Sequence, residues 1–386
     1  MVKLVHGIIG NAIKAGASDI HIEPMPEGTR VRYRIDGLLA EQMTVPLRLG
    51  PALTSRIKML GNLDISERRL PQDGALDVRF DDMAVRLKLS LLPTADGERM
   101  VLRVMDKTSQ VVAPERLGFL PGDLERIRRF LSQPSGMVLV SGPKGSGPKS
   151  TLYAFLAELN TPDTCILTVE NPVEHNFPGV GQVQLKEELG LTYAAALRTF
   201  ARQDPDVIMV QELRDAEVAR AAMEIGSETC LVLAAVTADD ASDALTRVID
   251  LGVQPALLGA TVRLVISQRG LRRVCEHCRS GYAPSKEQLH RAGLLAPSEL
   301  DAVPSDLTLY RAEGCDRCQG RGYRGRLLAY EILEVSSRIR EGLAAGLSRE
   351  QLHQLARAEG TRTVAQNAWR LALEGRTTFE EILKLV

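Results

Sequence analysis

Aromatic residues are scarce. Phe, Trp and Tyr make up 4% of the 386 residues, with a single tryptophan. Single-stranded nucleic acid is held on such rings, and a net charge of −1 supplies no basic excess in their place, so no nucleic-acid partner is expected. Long apolar runs are also missing: nothing approaches the roughly 20 residues that span a bilayer. The opening Met-Val-Lys-Leu-Val-His has neither the apolar run nor the cleavage site of a signal peptide. A cytoplasmic location is expected.

What is present is ordinary for a globular chain: 44% apolar and 25% charged residues, enough for two or three domains. Among the six cysteines, Cys275 and Cys278 form one C-x-x-C, and Cys315 and Cys318 another. In a cytoplasmic chain this spacing favours a structural Zn²⁺ held by four thiolates over disulfides. His277 lies between the first pair as a bystander. Cys165 and Cys230 stand alone in apolar stretches and are expected to be buried core thiols.

Residues 136–153 organise the rest. An apolar strand at 137–140 leads into a glycine-rich loop, and Ser150-Thr151-Leu152-Tyr153 opens a helix. Glycines let backbone N–H groups face an anion, and the helix start adds partial positive charge. The candidate cradle comprises Gly142, Pro143, Lys144, Gly145, Ser146, Gly147, Lys149, Ser150 and Thr151. The usual pattern is G-x-x-x-x-G-K-[ST]. Here Pro148 takes the lysine position and Lys149 that of the magnesium-binding hydroxyl. Proline has no N–H, although it is tolerated at the first helical position. The lysine is displaced by one residue, about 100° around the helix axis.

The chain before this loop reads as a helix at 4–15, alternating strands at 19–24 and 31–35, a helix at 50–60 and three more strands up to 105. Arg86, Lys88, Arg99 and Arg103 give this half a basic sheet face. A polar, proline-containing linker is expected at 108–118, separating domains at 1–107 and 119–386. In the second domain, strands at 137–140, 165–169, 207–210 and 230–234 alternate with helices near 122–132, 150–159, 191–202, 215–225 and 240–251. That alternation predicts an α/β, doubly wound, parallel-rich sheet. A cysteine-bearing segment at 272–331 and four closing helices follow. Ligands of such sheets bind at the carboxyl ends of the strands, which here carry Glu170, Glu212 and Asp239. Acids there hold Mg²⁺ or polarise water, or else cap the next helix. Capping weighs at least equally for Asp215 and Asp239, and function is favoured for Glu212.

Several stretches together resemble the type II secretion and type IV pilus assembly ATPases. They are Ala17-Ser-Asp-Ile-His-Ile-Glu-Pro24, Val31-Arg-Tyr-Arg-Ile-Asp-Gly37, Gly97-Glu-Arg-Met-Val-Leu-Arg103, Arg202-Gln-Asp-Pro-Asp-Val-Ile-Met-Val210, Gln268-Arg269, and the two cysteine pairs with their flanks. The resemblance implies a P-loop (RecA-like) domain preceded by a smaller α+β domain and stapled by zinc. It also implies ATP with Mg²⁺ between the domains, and a hexameric ring that drives pilin-like subunits through an inner-membrane platform protein. The chain begins directly at the nucleotide-adjacent domain, so ordinary docking through a further N-terminal domain is not expected. Carried over by position, Glu170, Glu212 and Arg103 are catalytic and Lys88 stands for an arginine that contacts phosphate. Asn171 replaces an aspartate, Gln211 a glycine, and Cys230 and Thr237 two histidines. Phosphoryl transfer needs lysine, metal and arginine at once, and Lys88 lacks arginine's bidentate fork. Weak nucleotide binding and impaired hydrolysis are expected, in a homo-hexamer or a mixed hexamer with an active paralogue. The alternative is an active motor that uses Lys149 and Ser150 after a local helix shift.

Overall fold

The computed structural model describes residues 1–80, 83–106, 112–285, 289 and 307–385. Part of the expected linker and most of the segment between the cysteine pairs lie outside them. The chain divides into two compact units, Met1–Gln110 and Val111–Val386.

The first unit holds α1 (Val2–Lys14), β1 (Asp19–Met25), β2 (Gly28–Ile35), β3 (Leu38–Pro46), α2 (Gly50–Leu60), β4 (Gln72–Phe80), β5 (Met83–Thr94) and β6 (Gly97–Asp106). Its six strands form one antiparallel sheet in the order β3-β2-β1-β6-β5-β4. The alternation read from sequence puts Val85, Leu87, Leu89 and Leu91 inward, where they meet Val5, Ile8 and Ile9 of α1 and Leu53 and Ile57 of α2. Charged residues cover the other face, and β1 supplies their counter-ions. Glu23 pairs with Arg30, Arg32 and Arg99, and Asp19 with Arg103. β3 was not expected. As an edge strand it buries only Val45, so it carries no alternation to read.

The second unit contains α3 (Pro121–Leu131), β7 (Gly136–Ser141), α4 (Pro148–Leu159), β8 (Ile166–Glu170), β9 (Gly181–Gln184), α5 (Tyr193–Phe200), β10 (Val207–Val210), α6 (Ala216–Glu228), β11 (Leu231–Val236), α7 (Ala241–Asp250), α8 (Pro255–Thr261) and β12 (Val262–Val274). After these come β13 (Arg279–Tyr282), β14 (Leu309–Ala312), β15 (Tyr323–Glu334) and helices Ser337–Ala344, Arg349–Ala358, Val364–Leu373 and Phe379–Ile382. The main sheet runs β15-β12-β7-β11-β10-β8-β9, parallel except for β15 against β12. β7 is buried along its whole length because both faces are covered. Met137 and Leu139 join the core built with α5 to α8, whereas Val138 and Val140 meet Ile127 of α3 and Leu152 and Phe155 of α4. Cys230 is buried as expected, and burial pushes its thiol up to about 12. Cys165 is not: it is exposed one residue before β8, with Sγ 4.0 Å from the Gln203 carbonyl.

Candidate functional site

The cradle forms where β7 ends. Gly142 has no room for a side chain, since a Cβ would lie 2.2 Å from Ser146 Oγ and 2.4 Å from Gln268 O. Ser146 closes the loop on itself, its N–H and hydroxyl both donating to Pro143 O at 3.1 and 2.8 Å. Gly147, at φ 88°, turns the chain into α4. Pro148 is the first residue of α4, so the helix start costs no hydrogen bond. The helix thus begins one residue before Lys149.

The displaced side chains follow from that register. Lys149 Nζ lies 3.0 Å from Glu174 Oε1, with both side chains partly exposed. Such pairs contribute at most about 1 kcal/mol. The helix register, rather than the pair's strength, takes the ammonium away from the lysine position. Ser150 and Lys144 are exposed. Thr151 is buried, and its hydroxyl donates to Gln268 Oε1 at 2.9 Å. Lys149 stands at the usual position of the magnesium-binding hydroxyl, so the side chains do not fit magnesium there.

The acids at the strand ends divide. Glu170 has 0% exposure. It accepts from Thr168 Oγ1 at 2.6 Å, Gln182 Nε2 at 3.0 Å and the Tyr153 hydroxyl. Burial and the charge of Glu170 hold the Tyr153 phenol protonated. With three donors on it, Glu170 ties α4, β8 and β9 together. Glu212 is exposed and accepts only weakly from Thr237 Oγ1, at 3.3 Å. Gln211 is 3% exposed. Its amide takes the Asn171 N–H at 2.7 Å and donates to Pro172 O at 3.1 Å, which pins the loop after β8. Asp215 caps α6 through the Val218 N–H at 2.9 Å. Asp239 instead receives Arg269. Lys88 and Arg103 belong to the first unit, as cross-strand neighbours on β5 and β6. Arg103 Nε donates to Asp19 Oδ1 at 2.9 Å.

The four cysteines do converge. Their sulfurs lie within 4.8 Å of one another. Cys275–Cys315, Cys278–Cys318 and Cys315–Cys318 are at 3.9, 3.8 and 3.8 Å. A tetrahedron with Zn–S bonds of about 2.3 Å has edges of about 3.8 Å. Backbone N–H groups of Gly314, Cys315 and Gly322 aim at these sulfurs from 3.1–3.3 Å. Burial would raise the Cys318 thiol, but the N–H groups of Cys315 and Gly322, together with the Cys315 and Cys278 thiols, bring it down to about 7. His277 rests against the Arg317 guanidinium instead. The donor set and spacing fit structural Zn²⁺, with no position left for a substrate.

Residues that sequence reasoning gave no site role complete the cradle: Glu174, which receives Lys149, and Gln268. The signal for Gln268 was an amide inside an apolar run, but it does not indicate what the amide binds.

A family model described as "Type II/IV secretion system protein" matches residues 1–384. The type IV pilus assembly ATPase PilB of Thermus thermophilus is 43% identical over 381 residues, which is 99% of this chain and 42% of that protein. PilB of Myxococcus xanthus is 40% identical over 99% of this chain and 67% of its own length. The type II secretion system protein HxcR of Pseudomonas aeruginosa is 39% identical over 100% of this chain and 77% of its own. The chain thus spans between two fifths and about three quarters of these relatives. Among solved structures, the pilus retraction motor PilT with bound ADP superposes with a TM-score of 0.64 at 22% identity, covering 99% of this chain and 96% of that one. The Legionella pneumophila ATPase DotB does so at 0.70 and 18%, covering 98% and 93%. At such identities the likeness is one of fold. Among the described residues, no helix is long and apolar enough to cross a membrane.

Proposed function

Because the chain belongs to the type II/IV secretion system protein family, we propose that it is a ring-forming cytoplasmic component of a type II secretion or type IV pilus machine. It powers or regulates the assembly of pilin-like subunits, with ATP hydrolysis impaired by its altered phosphate loop. The ring is a homo-hexamer or a mixed hexamer with an active paralogue, and its membrane partner is an inner-membrane platform protein. Cys275, Cys278, Cys315 and Cys318 hold a structural Zn²⁺.

The observation that carries the impaired chemistry is Pro148 at the first position of α4, with Lys149 turned to Glu174. Losing one preorganised electrostatic contact to a transition state costs about 10²–10³ in rate, and here both the lysine and the magnesium hydroxyl are replaced. Steady-state ATP hydrolysis by the purified chain tests this, with Glu212→Gln as the control. A rate indistinguishable from the control is expected. A rate well above it, abolished by Lys149→Ala, would establish the chain as an active motor.

A further inference from the structure

Gln268 is 1% exposed within β12. A buried amide needs partners, and both of those found here belong to the cradle. Its Nε2 donates to Ser146 O at 2.9 Å, and its Oε1 accepts from Thr151 Oγ1 at 2.9 Å. A carbonyl only accepts, so the amide's orientation is fixed by Ser146. Ser146 precedes, and Thr151 follows, the Gly147-Pro148 turn that joins loop to helix. The β12 backbone is close as well, since a Cβ added at Gly142 would lie 2.4 Å from Gln268 O. One side chain therefore ties the last turn of the loop to the first turn of α4.

We propose that Gln268 is the positioning residue of the cradle. It holds the loop N–H groups in an anion-binding arrangement without a lysine, for a nucleoside diphosphate bound without a divalent cation. This rests on the phosphate-loop reading above. Where a lysine is present, its charge attracts the anion over a range of loop shapes. With Pro148 in that place, oriented backbone dipoles carry the attraction, and they act only while they point inward. The same clamp occupies the Thr151 hydroxyl, which keeps it from a metal.

The test uses the whole chain in magnesium-free buffer, with two readouts: amide hydrogen exchange of residues 143–150 without ligand, and binding of a fluorescent ADP analogue. For Gln268→Ala, which removes both bonds, loop exchange faster by about tenfold and ADP affinity weaker by about tenfold are expected, the scale of buried hydrogen bonds lost with their partners stranded. Thr151→Val should give about threefold in each, since the Ser146 bond remains. Thr261→Val removes an equally buried hydroxyl bonded to Met223 O and should move neither readout. Unchanged loop exchange in both Gln268→Ala and Thr151→Val overturns the clamp. Faster exchange with unchanged ADP affinity, or ADP binding that requires magnesium, overturns its role. If the parent chain binds no ADP under any condition, the phosphate-loop reading and the ligand fall together, and the exchange arm still decides the clamp.

Discussion

The cysteine cluster and the phosphate loop sit in one unit, both joined to β12, yet they are made of different material. In the cluster the chemistry resides in side chains: four sulfurs at tetrahedral spacing, with the backbone only aiming N–H groups at them. In the cradle the shape resides in the backbone: Gly142, Gly147 and the start of α4. The charge there was a side-chain addition. A backbone cradle can therefore lose its lysine and keep its form. A thiolate cluster that loses a ligand loses part of what binds its metal.

The largest test of that contrast is Cys278→Ala. A structural Zn²⁺ contributes on the order of 10 kcal/mol of binding free energy. Metal analysis should find the variant zinc-free, and its melting transition should be lowered or split. A zinc-replete variant of unchanged stability would break the comparison. Next is the reverse experiment, Pro148→Lys combined with Lys149→Ser. If the cradle's form is intact, steady-state hydrolysis should rise by about 10²-fold or more. No change would mean that more than two side chains had been lost.

Glu331 sharpens the comparison from a third position. It lies on β15 opposite Ser267, is 2% exposed, and its Oε1 has no partner among the described residues. Burial and the charge of Asp240 push its carboxyl up to about 7 from 4.5, against the N–H groups of Ala241 and Val364 and the charge of Arg269. A carboxyl raised on folding is protonated in both states at low pH. As pH climbs above 4.5 the unfolded chain ionises first, so stability is lost between 4.5 and 7. The scale is on the order of 3 kcal/mol. Denaturant titrations should show Glu331→Gln more stable than the parent at pH 8, with the gain gone at pH 4. A constant difference would mean that Glu331 is not raised. The smallest effect is expected for Glu174→Gln, which should change stability by less than about 1 kcal/mol and leave hydrolysis where it was. A large rise in rate would mean that the surface pair, rather than the helix register, restrains Lys149.

The elements visible in sequence are those with one simple pattern. The run at 137–140 followed by glycines could only be a buried strand entering a turn, and paired C-x-x-C spacing has few other uses. β12 was missed although it is the longest strand of its sheet, because Ser267 and Gln268 interrupt its apolar run. Those polar residues are buried where the strand meets the phosphate loop. Cys165 misled for the opposite reason: its neighbours Ile166 and Val169 are core residues, but it lies just outside the strand. Glu170 read as a catalytic acid from its position at a strand end. That its three donors, two of them distant in sequence, also hold α4, β8 and β9 together was not legible from that position.

Cys275 and Cys315 are 40 residues apart and meet at one point. β13 and β14 pair alongside them. Four thiolates gathered at one point hold chain segments that are distant in sequence to a single spot. The cluster thus anchors the far ends of two paired strands at once, since β12 ends at Val274, just before Cys275, and β15 begins at Tyr323, just after Cys318.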